Sequence, residues 1–161
     1  MHSLNLPSYN IKMTEKGGKR YIFDPLRRKN VAFTPEEWVR QHFVNYLITS
    51  KAYPSERIAN EVAIHVNGTS KRCDTVVYDN YMDPLLIIEY KAPDITITED
   101  VFNQISRYNS ALKVPYLIVS NGLMHYCCNM DYINMKSRFL KDIPAYTEIK
   151  RAEINDNRKR K

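Results

Sequence analysis

Asp74, Glu89 and Lys91 are charged residues set in otherwise apolar runs, and that misplacement is the strongest chemical signal in this sequence. Asp74 sits in Arg72-Cys73-Asp74-Thr75-Val76-Val77-Tyr78-Asp79, and the other two close Leu85-Leu86-Ile87-Ile88-Glu89-Tyr90-Lys91. Both runs have strand composition and are joined by a polar connector ending in Pro84, so they read as two strands and a turn. Side chains alternate along a strand, which predicts that Ile87, Glu89 and Lys91 share one face while Asp74 lies on the face of Val76 and Tyr78. An ionised carboxylate at the end of an apolar strand loses hydration and needs a cation or hydrogen-bond donors in return. Two readings follow: a divalent cation held by both acids, or a plain ion pair of Lys91 with Glu89 or Asp74 at a solvated sheet edge.

The flanking segments must position these residues. Thr34-Pro35-Glu36-Glu37 is a helix start, with threonine as cap, proline at the first helical position and Glu37 completing a capping box. Val39, Phe43, Tyr46 and Leu47 then form one apolar stripe that runs to about Ser50, before Tyr53-Pro54. Glu37 and Arg40 are three apart, close enough to pair. Glu61 to Val66 reads as a strand and Asn67-Gly68 as a hairpin turn, which places Glu61 near the Asp74 strand as a secondary acidic candidate. A second amphipathic helix carries Val101, Ile105, Tyr108 and Leu112, with Gln104 and Arg107 on adjoining positions. Val114 to Ser120 is a buried strand, and Asn121-Gly122 turns it into Leu123 to Cys128. Helix, three antiparallel strands, helix, strand, strand predicts an α/β fold: a mixed central β-sheet flanked by helices, with a parallel crossover from Lys91 to Tyr116. Near the amino terminus Gly17-Gly18 marks a hairpin into a strand at Tyr21 to Phe23, and Arg27-Arg28-Lys29 is either a solvated charge run or a phosphate contact.

At 161 residues, 43% of them hydrophobic, the chain is long enough for one core and one domain. Its organisation reads as a 1–30 amino-terminal extension, a 31–128 core, and a 129–161 peripheral segment with a basic, frayed end. The 24 Lys and Arg against 18 Asp and Glu leave +6, which favours a polyanionic partner. Cys73, Cys127 and Cys128 are an odd set with two adjacent, unsuited to a disulfide framework or a spaced zinc site. The four histidines form no metal-binding pattern. No apolar run approaches the ~18–20 residues that span a bilayer, so the expectation is a soluble, cytoplasmic protein that does not engage membranes.

With these parts in order, the chain resembles the PD-(D/E)xK nuclease superfamily. Thr34-Pro35-Glu36-Glu37-x-x-Arg40, Lys71-Arg72-x-Asp74, Ile88-Glu89-x-Lys91-Ala92-Pro93, Gln104-Ile105-x-Arg107-Tyr108-Asn109 and Ser120-Asn121-Gly122 are similar to the amino-terminal nuclease domain of type I restriction enzyme R subunits, in its short stand-alone form. Cys73 stands where the superfamily name has proline. No G-x-x-x-x-G-K-[ST] loop accompanies these motifs.

The resemblance implies a restriction-endonuclease-like core and a metal-dependent nuclease acting on DNA. It implies that Asp74 and Glu89, with Glu61 as a further candidate, hold Mg²⁺ or Mn²⁺. Lys91 would orient or activate the attacking water, Gln104 would position water or the scissile strand, and Glu37 would support metal binding. Arg72, Arg107 and Tyr108 are the expected nucleic-acid contacts. The chemistry agrees, because phosphodiester hydrolysis needs a Lewis acid, a deprotonated nucleophile and cationic stabilisation of the transition state. Expected partners are nucleic acid, a second copy of the chain, and a motor or specificity subunit. The rival reading keeps the fold as a non-catalytic module that binds nucleic acid or a partner.

Overall fold

The computed structural model describes residues 3–149 except 67 and 111, and leaves out the side chains of Val66, Thr69, Tyr108 and Ser110. Asn67 of the predicted Asn67-Gly68 turn, the Tyr108 side chain and the basic terminus therefore lie outside the described residues. The elements run β1 (Met13–Lys16), β2 (Lys19–Asp24), β3 (Lys29–Ala32), α1 (Pro35–Ser50), a 3-10 turn (Ser55–Arg57), β4 (Ile58–Val66), β5 (Thr69–Tyr78), β6 (Pro84–Tyr90), α2 (Glu99–Ser110), β7 (Tyr116–Ser120), β8 (His125–Asp131) and β9 (Lys136–Leu140). β1, β2 and β3 form a small antiparallel sheet, and β4 to β9 form a six-stranded sheet in chain order. Within the large sheet β6 and β7 are parallel and the other neighbours antiparallel. This is the mixed sheet flanked by helices that the element order predicts, with α2 as the crossover.

Burial explains the layering. Val39, Phe43 and Leu47 of α1 are fully buried and pack with Val77, Leu86, Ile88, Ile118 and Cys127 on one face of the sheet. The alternate residues Leu117, Val119 and Cys128 meet Phe102 and Ile105 of α2 on the other. Beside them Ile64, Cys73, Val76 and Ile87 pack under Leu112 and Val114. All three cysteines are free and buried; burial pushes the Cys73 thiol up to about 11 and the Cys127 thiol up to about 12.

Several details differ from the sequence-based expectations. β4 starts three residues before Glu61, because Ile58 and Asn60 are buried partners of Val77 and Thr75. The turn after β7 spans Asn121 to Met124, not two residues: Asn121 Oδ1 accepts from the amides of Leu123 and Met124 at 3.0 and 2.8 Å. Gly122 holds φ +82° there, and a Cβ at that position would lie 2.7 Å from Leu4 Cδ2. The segment after Cys128 is more integrated than a peripheral one. β8 runs on to Asp131, β9 adds an edge strand, and Ile143, Tyr146 and Ile149 are buried in the α1-side core.

Candidate active site

Asp74 lies where the β-ladder opens on both sides. On β4 the register passes from Asn60↔Thr75 to Val62↔Cys73 and skips Glu61, whose φ of 56° is left-handed. On β6 pairing stops at Thr75↔Ile88, and the amide of Tyr90 donates instead to Asp74 Oδ2 at 2.9 Å. Cys73 and Val76, an odd and an even position, pack in one apolar cluster, so strict alternation fails between them. The even spacing that predicted the face of Asp74 does not carry through this point.

Around this break Arg40 of α1 reaches Asp74, and Asn109 of α2 reaches Lys71, which itself pairs with Glu89. From α1, Arg40 is 4% exposed, with its Nη2 2.6 Å from Glu61 Oε1 and 3.5 Å from Asp74 Oδ1, and its Nη1 3.3 Å from Glu37 Oε2. Its guanidinium also lies 5.7 Å from the Tyr90 ring centroid. Burial opposes the charge on Arg40, but Glu37, Glu61 and Asp74 outweigh it and raise its pKa. On the other side Lys71 Nζ is 2.7 Å from Glu89 Oε1 and 3.0 Å from Asn109 Oδ1 of α2. Burial raises the Glu89 pKa; Lys71 and Lys91 pull it down and Asp74 pushes it up, with the net shift upward. Of the two readings of these residues, an ion pair of Lys91 with Glu89 or Asp74 is not found: among the described residues Lys91 makes no ion pair, and its backbone amide is fixed by a 2.9 Å bond to Ser120 O on β7.

The remaining predicted residues divide. Thr34 caps α1, its Oγ1 accepting from the Glu37 amide at 3.0 Å, but the Glu37 carboxylate does not close a capping box. It is buried and taken by Arg27 at 2.7 Å, Gln41 at 2.9 Å and Arg40. Arg27 is thereby a largely buried partner of Glu37 and Asp24, which fits neither a solvated charge run nor a phosphate contact at that residue. Asp24, fully buried, also accepts from Asn60 Nδ2 at 3.0 Å, and Asn60 Oδ1 accepts from Thr75 Oγ1 at 2.7 Å, so the small sheet is wired to the residue beside Asp74. Both oxygens of Glu61 are engaged by guanidinium groups, one by Arg40 at 2.6 Å and the other by Arg72 at 2.7 Å. Among the described residues no group of three His, Cys, Asp or Glu is placed to hold a metal ion. Gln104 and Arg107 are exposed and line an open recess with Asp100 and Asn103 that includes neither Asp74 nor Glu89. Arg72 is exposed beside Glu61.

Sequence reasoning gave no role to Lys71 or Asn109. Lys71 is an odd number of positions from Asp74, which on an unbroken strand puts it on the opposite face. The pair Glu61 and Asp74 drops out of the ladder while the register on either side is kept, and beside this irregularity Lys71 reaches Glu89 and Asn109 reaches Lys71.

The sequence profile of the type I restriction enzyme R protein N terminus matches residues 35–144, from the start of α1 through β9. The chain belongs to that family. Among solved structures it is similar to the fragment structure of a putative HsdR subunit of a type I restriction enzyme from Vibrio vulnificus YJ016, at 16% identity and a TM-score of 0.54. The similarity covers 75% of this chain and 25% of that one, so the R-protein N-terminal family member described here spans about a quarter of the fragment it matches. At that identity the likeness shows the fold. The curated proteins give no significant match. No helix among the described residues is long and apolar enough to cross a membrane.

Proposed function

We propose that this domain is a metal-dependent nuclease of the PD-(D/E)xK type that hydrolyses phosphodiester bonds in DNA. The observation that carries the reading is the opened ladder at Asp74, which turns its carboxylate and that of Glu89 on the next strand into each other's field, in a chain of the R-protein N-terminal family. The donor set fits a hard divalent cation: two carboxylates, one made costly by burial and by its neighbour, with Glu61 engaged elsewhere. Mg²⁺ keeps several waters and is commonly held by one or two carboxylates together with substrate phosphate.

Asp74 and Glu89 would hold Mg²⁺ or Mn²⁺, which when bound supplies a Lewis acid at the phosphoryl oxygen and makes water easier to deprotonate. The Tyr90 amide fixes the rotation of the Asp74 carboxylate, and Arg40 holds its approach from α1. Glu37 acts through Arg40, by keeping that guanidinium in place. Lys91, anchored by its backbone to Ser120, presents an ammonium beside Glu89 that orients the attacking water and meets charge developing on the phosphorane. Arg72, and Gln104 with Arg107 on α2, supply contacts along the substrate backbone, and Tyr108 is assigned there from its place in the sequence alone. Cleavage in concert with a motor or specificity subunit is part of the same proposal.

The test is conversion of supercoiled plasmid to nicked or linear DNA with Mg²⁺ or Mn²⁺, with Asp74→Ala and Lys91→Ala as controls whose folding is checked by circular dichroism. Metal-dependent cutting that both substitutions abolish is the expected result. Cutting that survives in both variants rejects the assigned site; binding of DNA in EDTA with no cleavage under either metal favours the non-catalytic module.

A further inference from the structure

We propose that Lys71 is a resident counter-ion of the acidic pair, which a divalent cation must displace from Glu89 in order to bind. This rests on the reading of Asp74 and Glu89 as the metal carboxylates and adds to it a residue that opposes metal entry.

Three observations converge. Lys71 Nζ lies 2.7 Å from Glu89 Oε1, with side-chain exposures of 19% and 16%, so the pair is largely screened from solvent. The Glu89 carboxylate, shielded from water, has Lys71 as its ion-pair partner among the described residues, and a carboxylate removed from water needs such a cation or hydrogen-bond donors. The ammonium also has a second anchor: it donates to Asn109 Oδ1 at 3.0 Å, and Asn109 is 1% exposed, with its Nδ2 lacking a hydrogen-bond partner among the described residues. The buried amide is thus oriented with its acceptor toward Lys71.

An ammonium and a dication cannot both press on one carboxylate oxygen without strong repulsion, because little water lies between them. Metal entry therefore requires Lys71 to give up Oε1. Asn109 then holds the displaced ammonium close by. The consequence is a site with deliberately weakened metal affinity.

Mn²⁺ binding to the full chain, measured by loss of the free Mn²⁺ paramagnetic resonance signal, tests this. Lys71→Met should bind about tenfold tighter than the unsubstituted protein, the equivalent of roughly one charge-assisted hydrogen bond, and Lys71→Arg should stay close to it. Asp74→Asn and Glu89→Gln should lose binding. Unchanged or weaker binding in Lys71→Met, with binding still lost in the two acid variants, overturns the counter-ion and leaves the metal site standing. Full binding in both acid variants overturns the metal site and the counter-ion together. If Lys71→Met does not fold, the ¹³Cε signal of Lys71 in the unsubstituted protein decides: a shift on saturation with Mg²⁺ supports displacement, and an unmoved signal refutes it.

Discussion

Removing the guanidinium of Arg40 while keeping most of its volume, as in Arg40→Met, tests whether the acids around Asp74 are held by a single cation. Breaking a buried ion pair by deleting one partner costs about 3–5 kcal/mol, because a desolvated charge is left behind. The structure places Arg40 at the lower end. Glu37 retains Arg27 and Gln41, and Asp74 retains the Tyr90 amide. Among the described residues Glu61 retains Arg72 alone, whose side chain is 73% exposed and which contributes little once solvent screens it. A loss of about 3 kcal/mol is therefore expected, a large share of the ~5–15 kcal/mol that stabilises a typical domain. At about 2–4 °C per kcal/mol for a chain of this size, the melting midpoint should fall by about 6–12 °C. Urea denaturation gives the free energy directly, and a double-mutant cycle with Glu61→Gln isolates the contact at 2.6 Å. A loss below about 1 kcal/mol with an unchanged denaturant slope, or a cycle without coupling, refutes the view that Arg40 binds these acids together.

Gly122→Ala should cost about 1–3 kcal/mol, since a Cβ there meets Leu4 and the φ of +82° strains any L side chain; a melting temperature equal to that of the parent contradicts it. Asp24 and Glu61 have pKa values that burial would raise but that their partners lower overall, Asn60 and Arg27 for the first, Arg40 and Arg72 for the second. Their stabilisation is present above the ordinary carboxylate pKa of about 4 and lost as pH falls through the lower folded values, so Asp24→Asn should flatten the acid limb of stability against pH. An acid limb of the same steepness in that variant counts against the assignment. Glu89 runs the other way, its raised pKa favouring the folded state at low pH and withdrawing that contribution as pH rises through it. Mn²⁺ at about ten times its dissociation constant should add about 1.4 kcal/mol to the unfolding free energy, and Asp74→Asn should remove the gain; an equal gain in the variant locates the metal elsewhere.

The fold was legible where periodicity and chain punctuation agree. The cap at Thr34, the stripe of Val39, Phe43 and Leu47, the turn before Pro84 and the all-apolar Tyr116–Ser120 each point to one local structure, and the parallel pairing of β6 with β7 follows from the helix between them. β3 and β9 were missed because they are short, mostly exposed edge strands whose apolar content carries no period. At the candidate site the acids stood out by being charged within apolar runs. Lys71, Asn109 and the closeness of Arg40 did not, because their convergence depends on the left-handed Glu61 and on tertiary packing. No local pattern in Glu61-Val62-Ala63 announces a glutamate at positive φ. Gln104 was placed by helical spacing, which fixes its helix and not the direction it faces.

The buried cysteines give the molecule an internal set of probes. Cys127 belongs to the apolar cluster under α1, Cys128 to the cluster under α2, and Cys73 to the one beside Asp74, one thiol in each. Consecutive residues of β8 thus report on opposite layers, and the third reports on the strand whose pairing is interrupted at Asp74. Because each thiol is sealed in the folded state, the rate at which an alkylating reagent labels it measures how often its own cluster opens. The chain can be followed layer by layer through thiols it already carries, with no residue changed.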